Sequence, residues 1–285
     1  MKRILITGNN SYIAKSFKLY VESCGIGQQF EITLLSVRNE DWKEKNFGEY
    51  DVILHCAGIV HQKENEVSEE EYYRVNRELT RQLAVKAKAE GVRQFLFIST
   101  MNVYGVTTGI ITADTEPAPC SFYGKSKLEA ENILKELQDE KFKVCIIRPP
   151  MIYGKNSRGN YQRLAKLAQK LPIFPDVCNE RSMLYIDNLC EFLRLLIEYE
   201  EAGIFFPQNT EYVNTSEMVR SISKMHGREI KLTKVFNPVL HILSGIGVIS
   251  KVFGSLVYEK KMSNYEKGEY RILNFKESIR ETENY

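Results

Sequence analysis

The sequence predicts an α/β fold: a doubly wound parallel sheet, followed by a smaller C-terminal lobe of mixed α+β structure. Three observations carry this. Short apolar runs recur without alternation, as in Ile4-Leu5-Ile6 and Asp51-Val-Ile-Leu-His-Cys56; strands buried on both faces read this way. Stretches with helical spacing separate these runs, and such alternation is the order of a parallel sheet covered on both sides. The first run ends in the turn Thr7-Gly8-Asn9-Asn10-Ser11, and a helical pattern opens directly behind it.

The elements follow in order. After the strand at Ile4–Ile6, residues 11–23 place Ile13, Phe17, Tyr20 and Val21 on one helical face. Ile32 to Val37 reads as the second strand and Asp51 to Cys56 as the third. Ser68 to Glu90 is a long helix, with Ser68 and Glu71 spaced for a capping box and Gly91 closing it. Gln94 to Ile98 is a strand, Phe122 to Gln138 a helix and Phe142 to Ile147 a strand. After Arg148 the pattern loosens into loops at Pro149-Pro150 and Gly154–Gly159. Helices near Tyr161–Gln169, Asp187–Tyr199 and Thr215–His226 follow, with short strands between them. The division is a sheet domain over residues 1–150 and a lobe over 151–285, with some segments crossing back.

The 285 residues are 43% hydrophobic and 27% charged, ordinary for a globular protein. The net charge of +2, without a clustered Lys/Arg tract, argues against a nucleic-acid partner. Six scattered cysteines with no Cys-x-x-Cys pair read as reduced, mostly buried thiols of a cytoplasmic protein. His55, His61, His226 and His241 show no metal-binding spacing, so no metal site is expected. Val239 to Val257 is apolar but broken by polar and glycine residues. It reads as buried, or docked on a membrane surface or partner at the inner face, rather than as a span of about 20 apolar residues.

Four places could carry chemistry. Gly8-x-x-Ser11-x-x-Ala14 follows a buried strand and opens a helix whose free N–H groups suit a dinucleotide pyrophosphate, as in a Rossmann-like fold. Cys56-Ala57-Gly58 ends a strand with small residues that leave room for a ring or ribose, or else simply turns the chain. Ser99-Thr100 puts hydroxyls at another strand end, for a substrate oxygen or as a local cap. Tyr123 and Lys127 lie four apart, hence one turn apart on one helix face. A phenol titrates near 10 when unperturbed, and a neighbouring ammonium favours its ionised form. That combination suits proton transfer, although the pair alone equally describes a solvated helix face.

Read in order, the motifs Ile-Thr-Gly-Asn-Asn-Ser-Tyr-Ile-Ala, Asp-Val-Ile-Leu-His-Cys-Ala-Gly, Phe-Ile-Ser-Thr-Met-Asn-Val-Tyr-Gly, Tyr-Gly-Lys-Ser-Lys, Ile-Arg-Pro-Pro-Met-Ile-Tyr-Gly and Arg-Ser-Met-Leu-Tyr-Ile-Asp-Asn-Leu form one specific set. It resembles the extended short-chain dehydrogenase/reductases of the nucleotide-sugar epimerase/dehydratase family, from Ile4 to about Ile222.

The resemblance implies Thr100, Tyr123 and Lys127 as catalytic residues: Tyr123 shuttles a proton, and Lys127 lowers its pKa and holds the nicotinamide ribose. It implies cofactor contacts from Gly8, Asn10, Ser11, Tyr12 and Ile13, from Cys56, Ala57 and Gly58, and from Lys127 and Pro149. At the second strand's end, Ser36 and Arg38 stand where a carboxylate would bond the ribose of NAD. They suit a 2′-phosphate, so NADP is expected, with NAD the close alternative. The stretch from Ser36 to Asp51 is too short for the family's usual extra strand, so the adenine side is shortened. Met101 and Asn102 occupy the places of the Asp-Glu pair of sugar-nucleotide dehydratases; neither is a general acid, which argues against dehydration. Substrate contacts are implied for Met101, Asn102, Arg158 and Asn160, and for Arg181 as a diphosphate clamp. Asn76 matches a helix asparagine that supports the site.

The implied activity is oxidoreduction at C4 of a UDP-hexose or a UDP-4-keto-6-deoxy-HexNAc in polysaccharide precursor synthesis, a 4-ketoreductase first and a 4-epimerase second. A regulator that binds cofactor without catalysis is disfavoured, because both Tyr123 and Lys127 are present. A homodimer through a helix pair that includes the Tyr-Lys helix is also implied.

Overall fold

The computed structural model describes residues 1–285 apart from 26, 28, 61–66, 243–249, 251 and 285. Six parallel strands form the central sheet: β1 (Lys2–Thr7), β2 (Phe30–Leu35), β3 (Val52–His55), β4 (Gln94–Ile98), β5 (Lys143–Ile147) and β6 (Gly203–Phe205). Their order across the sheet is β6-β5-β4-β3-β1-β2, and every pairing is parallel. The sixth strand comes from beyond residue 150.

Side chains of both strand faces are buried, which is why the runs do not alternate. On one face Ile4, Ile6, Leu54 and Leu96 join the core under the Tyr12–Ser23 and Ile186–Glu198 helices. On the other, Leu5, Ile53, Phe95 and Phe97 pack with Leu83, Ala84, Ala130 and Leu134. The last four project from the Leu79–Ala89 and Phe122–Leu137 helices.

Several expectations shift. The second strand spans Phe30–Leu35 rather than Ile32–Val37, because Phe30 is buried and the chain turns away after Leu35. Between it and β3 there is only a 3-10 turn, Glu40–Lys43, anchored by buried Trp42, so β2 is the sheet's edge. Ser68 accepts from the Glu71 N–H at 3.2 Å, but Glu71 does not reach back to complete a capping box; its carboxylate grips Arg74. A complete box forms instead at Asn274 and Glu277, opening the Phe275–Glu283 helix. Only Cys145 and Cys190 are buried; Cys24, Cys120 and Cys178 are exposed. A 33 kDa fold leaves many small residues on its surface, and a cysteine's position is not set by its polarity alone.

Past residue 150 the strands shorten to three residues. Met151–Tyr153 pairs with Met183–Tyr185, Ile173–Pro175 with Lys231–Thr233, and Gly109–Ile111 with Leu256–Tyr258. Among the described residues no helix is long and apolar enough to cross a membrane. Of the stretch 239–257, residues 243–249 and 251 lie outside the described residues, as does His61.

Candidate active site

The site gathers at the carboxyl ends of the strands, where the chain must leave the sheet and backbone groups lose their ladder partners. Gly8 ends the turn after β1 with φ of 89°. Its N–H donates to the Leu35 carbonyl at 2.9 Å, and Ser11 N–H returns to the Gly8 carbonyl at 2.7 Å. A Cβ at Gly8 would lie 2.8 Å from the Ala57 nitrogen, so only glycine lets the two strand-end loops touch. Ser11 is the N-cap of the following helix, yet its hydroxyl makes no cap hydrogen bond. Asn10 is exposed beside it, and Tyr12 and Ile13 are half-buried at the helix start. The Tyr12 hydroxyl reaches Gly154, where an added Cβ would be 2.7 Å from it.

The second loop, Cys56-Ala57-Gly58, is fixed from behind by Asn76. The Asn76 amide accepts from Ile59 N–H at 2.8 Å and donates to the Ile59 carbonyl and the Ser126 hydroxyl, both at 3.2 Å. Asn76 sits in a π-helical segment, Tyr73–Glu78, inside an otherwise α-helical run from Glu69 to Ala89. The Leu79 N–H bonds back to Arg74, five residues earlier. Such bulges frequently mark functional sites, because they turn one side chain out of the regular spacing. A Cβ at Gly58 would stand 3.0 Å from Asn76 Oδ1 and 3.7 Å from Lys127 Nζ. The floor from Gly8 to Lys127 is therefore nearly bare backbone, a cradle that fits a dinucleotide laid along the strand ends.

Thr100 and Tyr123 meet: their side chains are hydrogen-bonded. Ser121 caps the Phe122–Leu137 helix by accepting from Gly124 N–H at 3.1 Å, which sets the phase that turns Tyr123 toward Thr100. Burial pushes the Tyr123 phenol up to about 12, with the Thr100 hydrogen bond opposing and nearby Tyr72 adding to the rise. Lys127 is buried, and burial lowers it to about 8 against the pull of Glu131 and Cys56. Its ammonium lies over the Phe97 ring, 4.1 Å from the centroid. The expectation that Lys127 depresses the Tyr123 pKa is thus corrected for the protein's own residues. Desolvation outweighs the cation, which spends its charge on the Phe97 face and on Glu131.

A deeper layer was not foreseen. Glu131, fully buried, lies one turn beyond Lys127. It accepts from the Ser99 hydroxyl and forms a two-pronged pair with Arg148, at 3.0 Å from Nε and 2.6 Å from Nη2. Arg148 also donates to the Tyr104 hydroxyl at 2.9 Å, and its carbonyl accepts from Tyr258 at 2.9 Å. Ser99 therefore points into the protein while Thr100 faces Tyr123. The signal was available: residues 127, 130, 131 and 134 share the helix's buried face, and an acid there needs a partner. His55 belongs to the same layer. It bonds Thr7 at 2.6 Å and Thr80 at 2.9 Å, and burial, then Lys127, lowers it to about 3.

The remaining candidates are more dispersed. Pro149 accepts from Met101 N–H at 3.0 Å. Met101 is buried with Val103, Tyr104, Leu256 and Tyr258, whereas Asn102 is exposed. Ser36 is half-buried and Arg38 exposed just past β2, beside the Leu35 carbonyl that holds Gly8; Arg38 has no acidic partner among the described residues. Arg181 is half-buried and donates to the Gly254 carbonyl at 2.8 Å; burial lowers its pKa, and no carboxylate offsets it. Its strand reaches the centre through Ser182, which accepts from Tyr258 N–H at 2.8 Å. Arg158 is exposed and Asn160 half-buried at the start of the Asn160–Lys170 helix. Neither bonds to the Thr100–Tyr123–Lys127 group.

The sequence matches the NAD dependent epimerase/dehydratase family over residues 4–205. It is 31% identical over 229 residues to a UDP-glucose 4-epimerase of Vibrio cholerae, spanning 76% of this chain and 69% of that one. An N-acetyl-alpha-D-glucosaminyl-diphospho-ditrans,octacis-undecaprenol 4-epimerase of Escherichia coli O157:H7 is 28% identical over 192 residues, 64% of this chain and 58% of that one. In three dimensions the chain is similar to a dTDP-4-dehydrorhamnose reductase from Clostridium acetobutylicum, with a TM-score of 0.76, 22% identity and 98% of both chains covered. A Bacillus cereus UDP-glucuronic acid 4-epimerase solved with NAD superposes at 0.71 and 18% identity, over 98% of this chain and 96% of that one. At such identities the solved structures speak for the fold. The family match and the Vibrio relative go further, and the chain belongs to the NAD dependent epimerase/dehydratase family, the extended short-chain dehydrogenase/reductase enzymes of nucleotide-sugar chemistry.

Proposed function

We propose that this enzyme reduces the C4 ketone of a UDP-4-keto sugar, of the 6-deoxy-HexNAc kind, in polysaccharide precursor synthesis. Residues 1–150 hold the cofactor and residues 151–285 mainly bind the sugar nucleotide. The observation that carries the reading is the Tyr123–Thr100 hydrogen bond around a phenol held protonated by burial. A protonated phenol is the form that gives a proton to a ketone oxygen; an epimerase must begin by taking one.

A bound nicotinamide supplies or accepts the hydride. Tyr123 donates its proton to the sugar C4 oxygen as that oxygen gains negative charge. Thr100 orients the same oxygen through its hydroxyl. The Lys127 cation, one turn away, stabilises the phenolate left behind. Met101 and exposed Asn102 offer no acid–base pair for eliminating water. Arg181, a cation without a carboxylate, suits the substrate diphosphate. Ser36 and Arg38 suit a 2′-phosphate, which favours NADP(H) over NAD. The groove outside the Tyr-Lys helix, lined by Arg77, Arg81, Glu129 and Glu136, carries both signs of charge, as a two-fold homodimer contact requires.

The Vibrio relative favours a second reading, a UDP-hexose 4-epimerase that keeps NAD bound. A panel of UDP-sugars and UDP-4-keto sugars, assayed with NADH and NADPH, separates the two. The expected result is NADPH consumption with a 4-keto sugar, and a fall of about 10²-fold or more for Tyr123→Phe. Purification with a full complement of NAD, and no consumption of free NADPH, overturns the reductase reading.

A further inference from the structure

One edge of the C-terminal lobe combines exposed apolar side chains with unpaired positive charge. Leu171 and Ile173 are exposed where the Asn160–Lys170 helix runs into its short strand. That strand pairs with Lys231–Thr233, setting Ile173 beside Lys231. The chain then continues through Val235, Phe236, Val239 and Ile242, exposed at 76%, 45%, 56% and 80%. The sequence goes on as Leu243-Ser-Gly-Ile-Gly-Val-Ile249 without a charge. Apolar side chains exposed side by side in this way mark an interaction site more often than isolated ones do.

The charges name the partner. Segments 166–176 and 224–242 carry Lys166, Lys170, Lys224, Arg228, Lys231 and Lys234 against only Asp176 and Glu229. All six cations are exposed, and none forms an ion pair among the described residues. On the sheet half, by contrast, Arg74, Arg81, Lys86 and Arg93 are each paired with a carboxylate. A protein partner would present a fixed set of acids. Aliphatic tips ringed by free lysines fit instead a surface that is negative at the headgroups and apolar beneath.

We propose that this edge docks the enzyme on an anionic phospholipid bilayer, without crossing it. The docking is independent of the reaction proposed above. The test is co-sedimentation of the full chain with vesicles containing about one third phosphatidylglycerol, against pure phosphatidylcholine. Binding to the anionic vesicles is expected, weakening at about 0.5 M salt. Lys231→Glu/Lys234→Glu and, separately, Val235→Asp/Ile242→Asp should each lower it about tenfold, with circular dichroism and cofactor retention unchanged. Equal binding to neutral vesicles, or binding to neither, overturns the proposal. So does a dimer that Ile242→Asp dissociates while the wild type ignores vesicles.

Discussion

In the central sheet, Leu5, Ile53, Leu54 and Phe95 are wholly buried on strands whose backbones satisfy one another. In the C-terminal lobe the strands are three residues long, and buried amides do much of the joining. Asn209 accepts from Tyr185 N–H at 3.0 Å and from Asn188 at 3.1 Å, and donates to the Tyr153 hydroxyl at 2.9 Å. Asn179 exchanges bonds with Thr215 at 2.9 and 3.0 Å. Gln208 accepts from Ser182 and donates to the Tyr258 carbonyl. Apolar burial is non-directional and tolerates variation in shape. A hydrogen-bonded amide is directional and holds only one arrangement well. A cofactor common to the family needs the first kind of frame, and a pocket for one particular sugar needs the second.

Three measurements press on this contrast. The largest effect belongs to Glu131→Ala, which strands the buried Arg148 cation where the two regions meet. Urea unfolding should show a loss of about 3–5 kcal/mol, whereas Arg81→Ala, which removes an exposed pair, should cost under about 1 kcal/mol. Similar losses for both would mean that the network is not structural. Next, Asn209→Ala leaves three polar groups in the lobe without their partner and should cost about 1–3 kcal/mol. Hydrogen exchange should quicken at the Met183–Tyr185 strand while β1, β3 and β4 stay protected; uniform quickening would show that the halves unfold as one.

The smallest effect is on the pH profile of turnover. Lys127 is depressed to about 8, so its cation is present at pH 7 and lost as the pH rises through that value. Tyr123, held up at about 12, keeps its proton throughout. Reduction should therefore be flat near neutrality and fall above pH 8. A flat profile to pH 10 would remove Lys127 from phenolate stabilisation.

The sheet half was legible because burial on both faces writes itself as apolar runs, and helix faces as a 3.6-residue period. The helices predicted at Phe122–Gln138, Asp187–Tyr199 and Thr215–His226 end within a residue of those observed. The edge strand β2 was misplaced by two residues, since its half-buried pattern carries a weaker signal. At the site, the ordered motifs led to Thr100, Tyr123 and Lys127, which the fold brings together. Glu131 and Arg148 were passed over because single charges ordinarily read as surface. The lobe's amides were illegible for a related reason: Asn209 meets Tyr153 and Tyr185 through bonds that have no period in the sequence.

The π-helical segment at Tyr73–Glu78 makes the chain's length there a structural quantity. Deleting one residue from it would restore ordinary α-helical bonding locally. It would also rotate everything downstream by about 100° about the helix axis. Thr80, which bonds His55, and Leu83, Ala84 and Ala87, all buried, would swing off the sheet. The bulge therefore sets the phase between Asn76, which clamps the Gly58 loop, and the apolar stripe that anchors the same helix, and a change of chain length at this point cannot be absorbed as it would be in a surface loop.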